Sequence, residues 1–491
     1  MVKKMDNFLP LIVVFPLIMS IIFSYIYKSK IVRILTFLMA LILVVLPFFG
    51  TYGTYFFGDH AIALGSTSLT SGIAYVLNPA KNVMVFTLML IGSLILISAT
   101  GEKKLNGIFT SLMLMGLASV SAIIMAEDIF NLYVFYEIAT ITQAGLVIAS
   151  GTENAYKAAF RYLLIGTMAG SLLLLGIALL LSATGTLNIE DMRNFLANNS
   201  ATPAIYGGLL MLIIGLGYGG GLPPFHTIKA DMYSRARPFV ASMLQTYSKF
   251  VLIALMIVIL KLFGGLPYFN ITRGVLIALS IGGMVFGTVM ALLQNDYKKL
   301  LAYHTISQGG YVAAGLAIGT PLGIVAGIFH GINHAIYKSA LFLGAHIVSK
   351  AKSSNMAKLG GLLPFMPFVA FMILCAKLAT IGIPPLNGFQ SKLLLIDAAM
   401  KANIPELAII MILVSIGTFV YMMKAFYLIF LKPCSEEQIE EYKNIKISKY
   451  SVFSLAILTV LCILLGIYPD IVVDRIYPFA KDIGINWALN K

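Results

Sequence analysis

The sequence predicts an all-α polytopic membrane protein of about 14 transmembrane helices, built as two inverted five-helix repeats with broken helices 7 and 12. Three observations predict it. Hydrophobic residues make up 59% of the 491 residues and charged ones 11%, under half the usual share of about 25%, and the mean hydropathy is +0.93. Apolar blocks recur along nearly the whole chain at about the 20 residues a helix needs to cross a bilayer. Two of these blocks are interrupted by a Gly-apolar-Pro-Pro sequence, and paired prolines break helices.

In order, the blocks fall at 8–27, 31–50, 82–100, 106–126, 128–150, 157–183, 203–223, 238–262, 274–294, 300–317, 320–348, 363–399, 404–430 and 451–468. The first is too long for a typical signal peptide and lacks a small-residue cleavage site, so it reads as the first span. The block at 363–399 is too long for one straight span and is broken by "GIPPLNGF". The tail from Tyr468 to Lys491, with Trp487, mixes apolar and charged residues and reads as interfacial. No soluble domain and no long linker is expected. Lys and Arg are more numerous in the loops after odd-numbered spans, which favours a cell-membrane orientation with both termini outside.

The internal echo carries the repeat. "GLPPFHTIK" begins at Gly221 and "GIPPLNGFQSK" at Gly382; each is followed by a lysine, Lys229 or Lys392. Two such breaks five spans apart predict duplicated units. An odd offset inverts the second, as in ion-coupled transport proteins with sites near the breaks. The division is 1–105 for spans 1–3, 106–262 for the first repeat, 263–430 for the second, and 431–491 for a loop, span 14 and the tail.

A net charge of +14 would point to nucleic acid in a soluble chain; here it reflects basic loops, and no nucleic-acid partner is expected. Cys375, Cys434 and Cys462 are far apart and form no CxxC, so neither a disulfide framework nor a metal site is expected. There is no GxGxxG fingerprint and no phosphate loop, and no catalytic residue or cofactor of this chain is predicted.

Ionisable residues inside the blocks are Glu137, Lys249, His330, His334, Lys338, Lys377, Lys392 and Lys424. A charge at the bilayer centre costs about 2.5–3.5 kcal/mol even on the lenient insertion scale, so such residues mark ion pathways by default. Lys424 lies near a helix end and can snorkel. Lys377 reads either as functional or as a structural donor to carbonyls freed at the Pro384–Pro385 break. His330, His334 and Lys338 recur every four residues and share one helix face, a pattern suited to a proton wire; no acidic third ligand accompanies them for a metal. Tyr133 and Thr140 flank Glu137 at i−4 and i+3. A cation that approaches and retreats would toggle that carboxyl, because a nearby positive charge favours its ionised form.

Three stretches then resemble a known family: "QNDYKKLLAYHTISQGGYVAAGL" from Gln294, "INHAIYKSALF" and "GIPPLNGFQSK". They resemble the antiporter-like subunits shared by respiratory complex I, Mrp-type Na+/H+ antiporters and energy-converting membrane-bound hydrogenases. An archaeal energy-converting hydrogenase subunit resembles the chain best, and a D-like member of the Mrp-type antiporters second. The resemblance implies fourteen spans and a charged axis along the mid-plane, with Glu137 as the acid of span five, Lys249 the central lysine of span eight, His334 and Lys338 in the relay of span eleven, and Lys392 the terminal lysine. One departure matters. The lysine that the family places before the seventh-helix proline motif is here Gly219, whereas Lys229 stands at a position normally apolar. Three readings follow: Lys229 is a relocated partner of Glu137, Lys249 pairs with Glu137 directly, or the first half-channel is silent.

The function expected is an H+- or Na+-translocating subunit of a redox-driven complex (NADH dehydrogenase-like or hydrogenase), itself not an enzyme. Its partners would be lipid, other membrane subunits and, through them, a peripheral redox arm. The alternatives are a stand-alone or Mrp-type secondary antiporter subunit, or a structural subunit with a partly silent channel.

Overall fold

The computed structural model describes residues 9–26, 29–64, 67–102, 105–266, 269–351 and 353–484; Trp487 lies outside them. Each of the fourteen apolar blocks is occupied by helix. The chain opens with α1 (Leu11–Ser24) and α2 (Ser29–Val45), then α3 (Pro79–Thr100), α4 (Gly107–Met125), α5 (Ile129–Ile148) and α6 (Glu153–Thr184). The short α7 (Ile189–Asn198) precedes the first broken pair, α8 (Pro203–Gly220) and α9 (His226–Arg235). The central helices are α10 (Pro238–Phe263), α11 (Phe269–Leu292), α12 (Tyr297–Ile318) and α13 (Pro321–Val348). The second broken pair is α14 (Pro367–Ile381) and α15 (Asn387–Lys401), followed by α16 (Pro405–Phe426), the short α17 (Glu436–Lys443), α18 (Lys449–Ile467) and α19 (Asp470–Ile483). Among the described residues, nine helices are long and apolar enough to cross a membrane by length and composition.

Local chemistry sets the helix starts. Asn78, Asn106, Asp128, Thr152, Asp296 and Thr320 each accept a backbone N–H of the following turn, which satisfies a donor that the helix cannot. Proline occupies the first turn of α3, α8, α10, α13, α14 and α16, where its missing N–H costs nothing.

One element departs from the all-helical expectation. The connection after α2 is an antiparallel hairpin, β1 (Gly53–Leu64) with β2 (Thr67–Leu77), in register from Gly53 opposite Leu77 to Leu64 opposite Thr67. Its strands carry too few consecutive apolar residues to register in a search for spans. The tail helix α19 buries Val472, Ile476, Phe479 and Ile483 on one face and packs on α3 and α13.

Helices α10 and α13 are buried on nearly every face and touch each other along their lengths. By contrast α6, α11 and α16 present exposed apolar side chains such as Phe160, Met168, Val285, Ile412 and Ile416, the surface expected where helices face lipid. Polar chemistry is therefore confined to a sleeve that lipid does not reach.

Both breaks share one construction. Helix α8 closes on Gly221 at φ +74° and α14 on Gly382 at φ +94°, a left-handed conformation that glycine adopts without steric cost. Leu222 N–H returns to Gly217 O at 2.8 Å, and Ile383 N–H to Leu378 O at 3.1 Å. The Pro223–Pro224 and Pro384–Pro385 pairs follow, both bonds cis, and a second helix starts two residues later.

Candidate functional site

The ionisable residues singled out from sequence converge on the sleeve around α10 and α13. Lys229, Lys249, His330, His334, Lys338, Lys377 and Lys392 are all buried, Glu137 is half-buried, and Lys424 is exposed, as a snorkelling lysine would be.

At one end, Glu137 on α5 lies against the backbone of α6. A Cβ at Gly170 would collide with its Oε1, so the absence of a side chain there is what admits the carboxylate. That oxygen has no hydrogen-bond partner among the described residues. Neither Lys229 nor Lys249 forms an ion pair with Glu137 among the described residues. Lys229 Nζ instead donates to Tyr162 Oη at 3.2 Å and Ser248 Oγ at 3.0 Å, and lies 4.8 Å from the Tyr162 ring centroid. The electron-rich ring face offsets part of the cost of burying the ammonium. Tyr162 O in turn accepts Tyr218 Oη at 2.6 Å, and the two rings stack at 5.2 Å. Ser248, beside Lys249 on α10, also accepts Tyr233 Oη at 2.7 Å.

Gly219, at the expected lysine position, is packed shut: an added Cβ would stand 2.9 Å from Tyr136 Cε2 and 3.0 Å from Val251 Cγ1. Lys249 Nζ passes over Gly309 of α12, where a Cβ would strike it.

The stripe on α13 is completed from other helices rather than by itself. Lys338 Nζ and His304 Nδ1 share a 2.6 Å hydrogen bond between α13 and α12. His330 Nδ1 bonds Ser391 Oγ at 2.9 Å, and its Nε2 bonds Gln308 Oε1 at 3.2 Å. Among the described residues His334 has no partner at either ring nitrogen, and His304 Nε2 and Gln308 Nε2 are likewise unbonded. His304, Gln308 and Ser391 were not singled out from sequence. The signal available was His304 and Gln308 four residues apart in "AYHTISQGG", facing the α13 stripe with the same spacing.

The second break holds the other end. Lys392 Nζ donates to Thr380 O and Ile381 O, each at 3.0 Å, which are carbonyls left open where α14 stops. Lys377, one of whose two sequence readings gave it that role, donates instead to Met422 O on α16 at 3.2 Å and lies 4.9 Å from the Tyr297 ring centroid. The reason is direction: Lys377 sits on α14 itself, before the break, whereas Lys392 reaches back from α15. Lys229 and Lys392 are counterparts in this respect. Lys229 Cγ and Lys392 Cδ would each stand 3.1 Å from a Cβ on the glycine that closes the preceding half-helix, Gly221 or Gly382.

A further cluster lies off this line. Glu127 accepts Lys81 Nζ at 2.8 Å and Lys261 Nζ at 2.8 and 3.0 Å, tying α3 and α10 to the corner before α5. Burial pushes its carboxyl up, but the two ammonium groups more than reverse this and leave it below the usual range.

Comparison with known proteins now bears on this geometry. Residues 126–420 match the family described as NADH:quinone oxidoreductase/Mrp antiporter, TM. The chain belongs to this family. The matched span takes in Glu137, both breaks, the α13 stripe and Lys392. Within the NADH:quinone oxidoreductase/Mrp antiporter family, the uncharacterized protein MJ1309 of Methanocaldococcus jannaschii is 62% identical over 98% of this chain and 100% of its own. A Na(+)/H(+) antiporter subunit of Alkalihalophilus pseudofirmus is 29% identical over 83% of each. Among solved structures, a chain of the membrane-bound sulfane sulfur reductase, an archaeal respiratory membrane complex, is 26% identical, with a TM-score of 0.80 over 96% of this chain and 97% of that one.

Proposed function

We propose that the chain is the ion-translocating membrane subunit of a redox-driven complex, carrying H+ or Na+ along a buried relay while electrons move in partner subunits. The observation that carries this reading is the row of buried lysines and histidines running from Lys229 through Lys249, Lys338 with His304, and His330 to Lys392. A purely structural chain has no use for so many buried cations, because each must be compensated. Unbonded atoms at Glu137, His304, Gln308 and His334 support it further: such atoms are costly in a static core and useful on a path where protons change hands.

In this reading the regions 106–262 and 263–430 are the two inverted units. Each has a half-helix closed by a left-handed glycine and a lysine folded back onto it, a likeness that supports the pairing. Lys229 supplies the first unit's cation from the second half-helix, with Tyr162 as intermediary to Glu137. A charge change at one end shifts the next pairing electrostatically. The driving force is about 2.3 kcal/mol per charge per 100 mV, comparable to a shift of under two pKa units.

The test is Glu137→Gln in the native complex in sealed vesicles, with redox turnover and ion gradient read together. Collapse of the gradient, or a stall of turnover, is expected. Unchanged values would make the first unit silent. A second reading, an antiporter component without redox coupling, is favoured by the likeness to the Alkalihalophilus Na(+)/H(+) antiporter. It predicts ion exchange in vesicles supplied with no electron donor.

A further inference from the structure

A recess at one end of the bundle stands outside this relay. It forms where α3 and α13 end and α10 and α18 begin, and its volume is about 540 Å³. Glu102, Arg237, Phe239, His346, Lys350 and Lys446 line it. His346 Nε2 and Lys350 Nζ each lie 3.0 Å from Glu102 Oε1. The hydrogen bond from His346, then that from Lys350, holds the Glu102 carboxyl down at about 2 against its partial burial, so it is ionised at any working pH. Arg237 and Lys446 are exposed and have no acidic partner among the described residues.

Helix α13 joins this recess to the relay. His330, His334, Lys338, Phe342 and His346 recur every four residues, a row that drifts about 40° per step. From Lys338 to His346 is eight residues, roughly 12 Å along the axis. Only Phe342 intervenes on the row, and Lys338 Nζ stands 5.4 Å from its ring centroid. On the far side the His346 ring packs edge-on against Phe239 at 5.2 Å. An ionised carboxylate and an imidazole thus stand at an open mouth, and along the α13 row one aromatic ring lies between the imidazole and the first buried lysine.

We propose that this recess is the aqueous mouth of the relay, in which the Glu102–His346 pair takes up protons and Phe342 is the apolar barrier between it and Lys338. The inference rests on the relay reading above and adds an entrance and an ion to it. In each transfer a hydronium in the recess gives one proton to a His346 ring nitrogen, and His346 gives one proton, through water admitted past the Phe342 ring, to the Lys338 amine; only N–H and O–H bonds change and no electrons move. The cationic rim of Arg237, Lys350 and Lys446 outweighs the one carboxylate, so a whole Na+ ion is repelled there. A proton needs only an acceptor within hydrogen-bond reach.

The test uses the native complex in sealed vesicles, with assembly of each variant checked by co-purification. Lys338→Ala reports on the relay itself and is expected to abolish the gradient. His346→Gln is expected to slow gradient formation by about a hundredfold, the lower range of what a positioned proton carrier contributes. Its deficit should grow as pH rises and protons become scarce. Imidazole added on the recess side should restore His346→Ala, which a structural role for the ring would not allow. Phe342→Ala should raise passive proton leak with the redox partner idle, and this reads the barrier even where a histidine variant assembles poorly. If Lys338→Ala fails as expected while His346→Gln matches the parent at every pH and Phe342→Ala adds no leak, the mouth is elsewhere and this inference is overturned. If Lys338→Ala itself transports normally, the relay reading falls, and this inference with it.

Discussion

Lys338 Nζ and His304 Nδ1 meet at 2.6 Å in the fully buried contact between α13 and α12. One proton must lie between them, because a ring nitrogen that donates leaves the amine to accept, and the reverse. Either arrangement gives a proton a direct path from one residue to the other. His304→Ala should therefore lower ion transport about as far as Lys338→Ala, by roughly a hundredfold or more. The double variant should be no worse than either single, since residues that act as a unit are not additive. Gradient formation per redox turnover measures both; two independent additive losses would separate the residues.

Lys229 and Glu137 should couple through Tyr162. Lys229→Met and Glu137→Gln are expected to give similar losses, and Tyr162→Phe an intermediate one, because it removes the hydroxyl but keeps the ring beneath the ammonium. Gly219→Lys added to Lys229→Met should not rescue, since Tyr136 and Val251 close the space around Gly219. Rescue would show that the first unit tolerates its cation on either half-helix.

Two glycines offer a separation of stability from function. A Cβ at Gly170 meets only Glu137 Oε1 and neighbouring atoms of that carboxylate, and one at Gly309 meets first Lys249 Nζ. Both obstacles are ends of flexible side chains and can move aside cheaply, but moving displaces the charged group. Gly170→Ala and Gly309→Ala should assemble normally and lose transport, which co-purification and gradient assays check together.

Glu127 holds two lysines, so its removal leaves two buried ammonium groups unpaired. Glu127→Gln should destabilise the chain by about 3–5 kcal/mol, the usual range for breaking a buried ion pair. Lys261→Met should cost less, because Lys81 keeps its partner. Thermal unfolding in detergent gives the order, and an equal cost for both would refute the shared-carboxylate account.

Stability should also carry a signature of Glu102. Its carboxyl is held down at about 2 from an ordinary 4.5, so its contribution is fully present above about pH 4.5 and is lost as pH falls toward 2. The melting-temperature advantage of the parent over Glu102→Gln should be constant from pH 8 to 5 and shrink below that. A constant difference down to pH 3 would contradict the ion-pair origin.

Much of this architecture is legible in the sequence because membrane burial simplifies the code. Apolar block length gives each helix, Gly-apolar-Pro-Pro gives each break, and any charge inside a block declares itself by its cost. The α13 stripe was readable for that reason. What stayed hidden are partners whose residue types are unremarkable in a helix: Tyr162, Ser248, Gln308 and Ser391 become meaningful only when neighbouring helices are docked. Lys392, not Lys377, meets the carbonyls at the second break, because spacing along a chain does not reveal which side of a break a side chain reaches across. The hairpin after α2 was missed because its signal is alternation, not length. The triad of Lys81, Glu127 and Lys261 lies at block edges, where snorkelling residues and buried ones look alike.

The relay is built almost wholly of bases. Lys229, Lys249, His304, His330, His334, Lys338 and Lys392 share the sleeve with one half-buried carboxylate, Glu137. Two like charges 4 Å apart repel by about 4 kcal/mol in a medium of effective dielectric 20, so the row cannot fill every slot at once. In the reading proposed above it works as a capacitor with more plates than charge. A proton added at one end displaces occupancy along the line, and the signal crosses the bundle farther and faster than any single ion does. Such a device needs no large motion of its helices. It needs only that the protein keep counter-ions out, and the lipid-facing walls of α6, α11 and α16 do that.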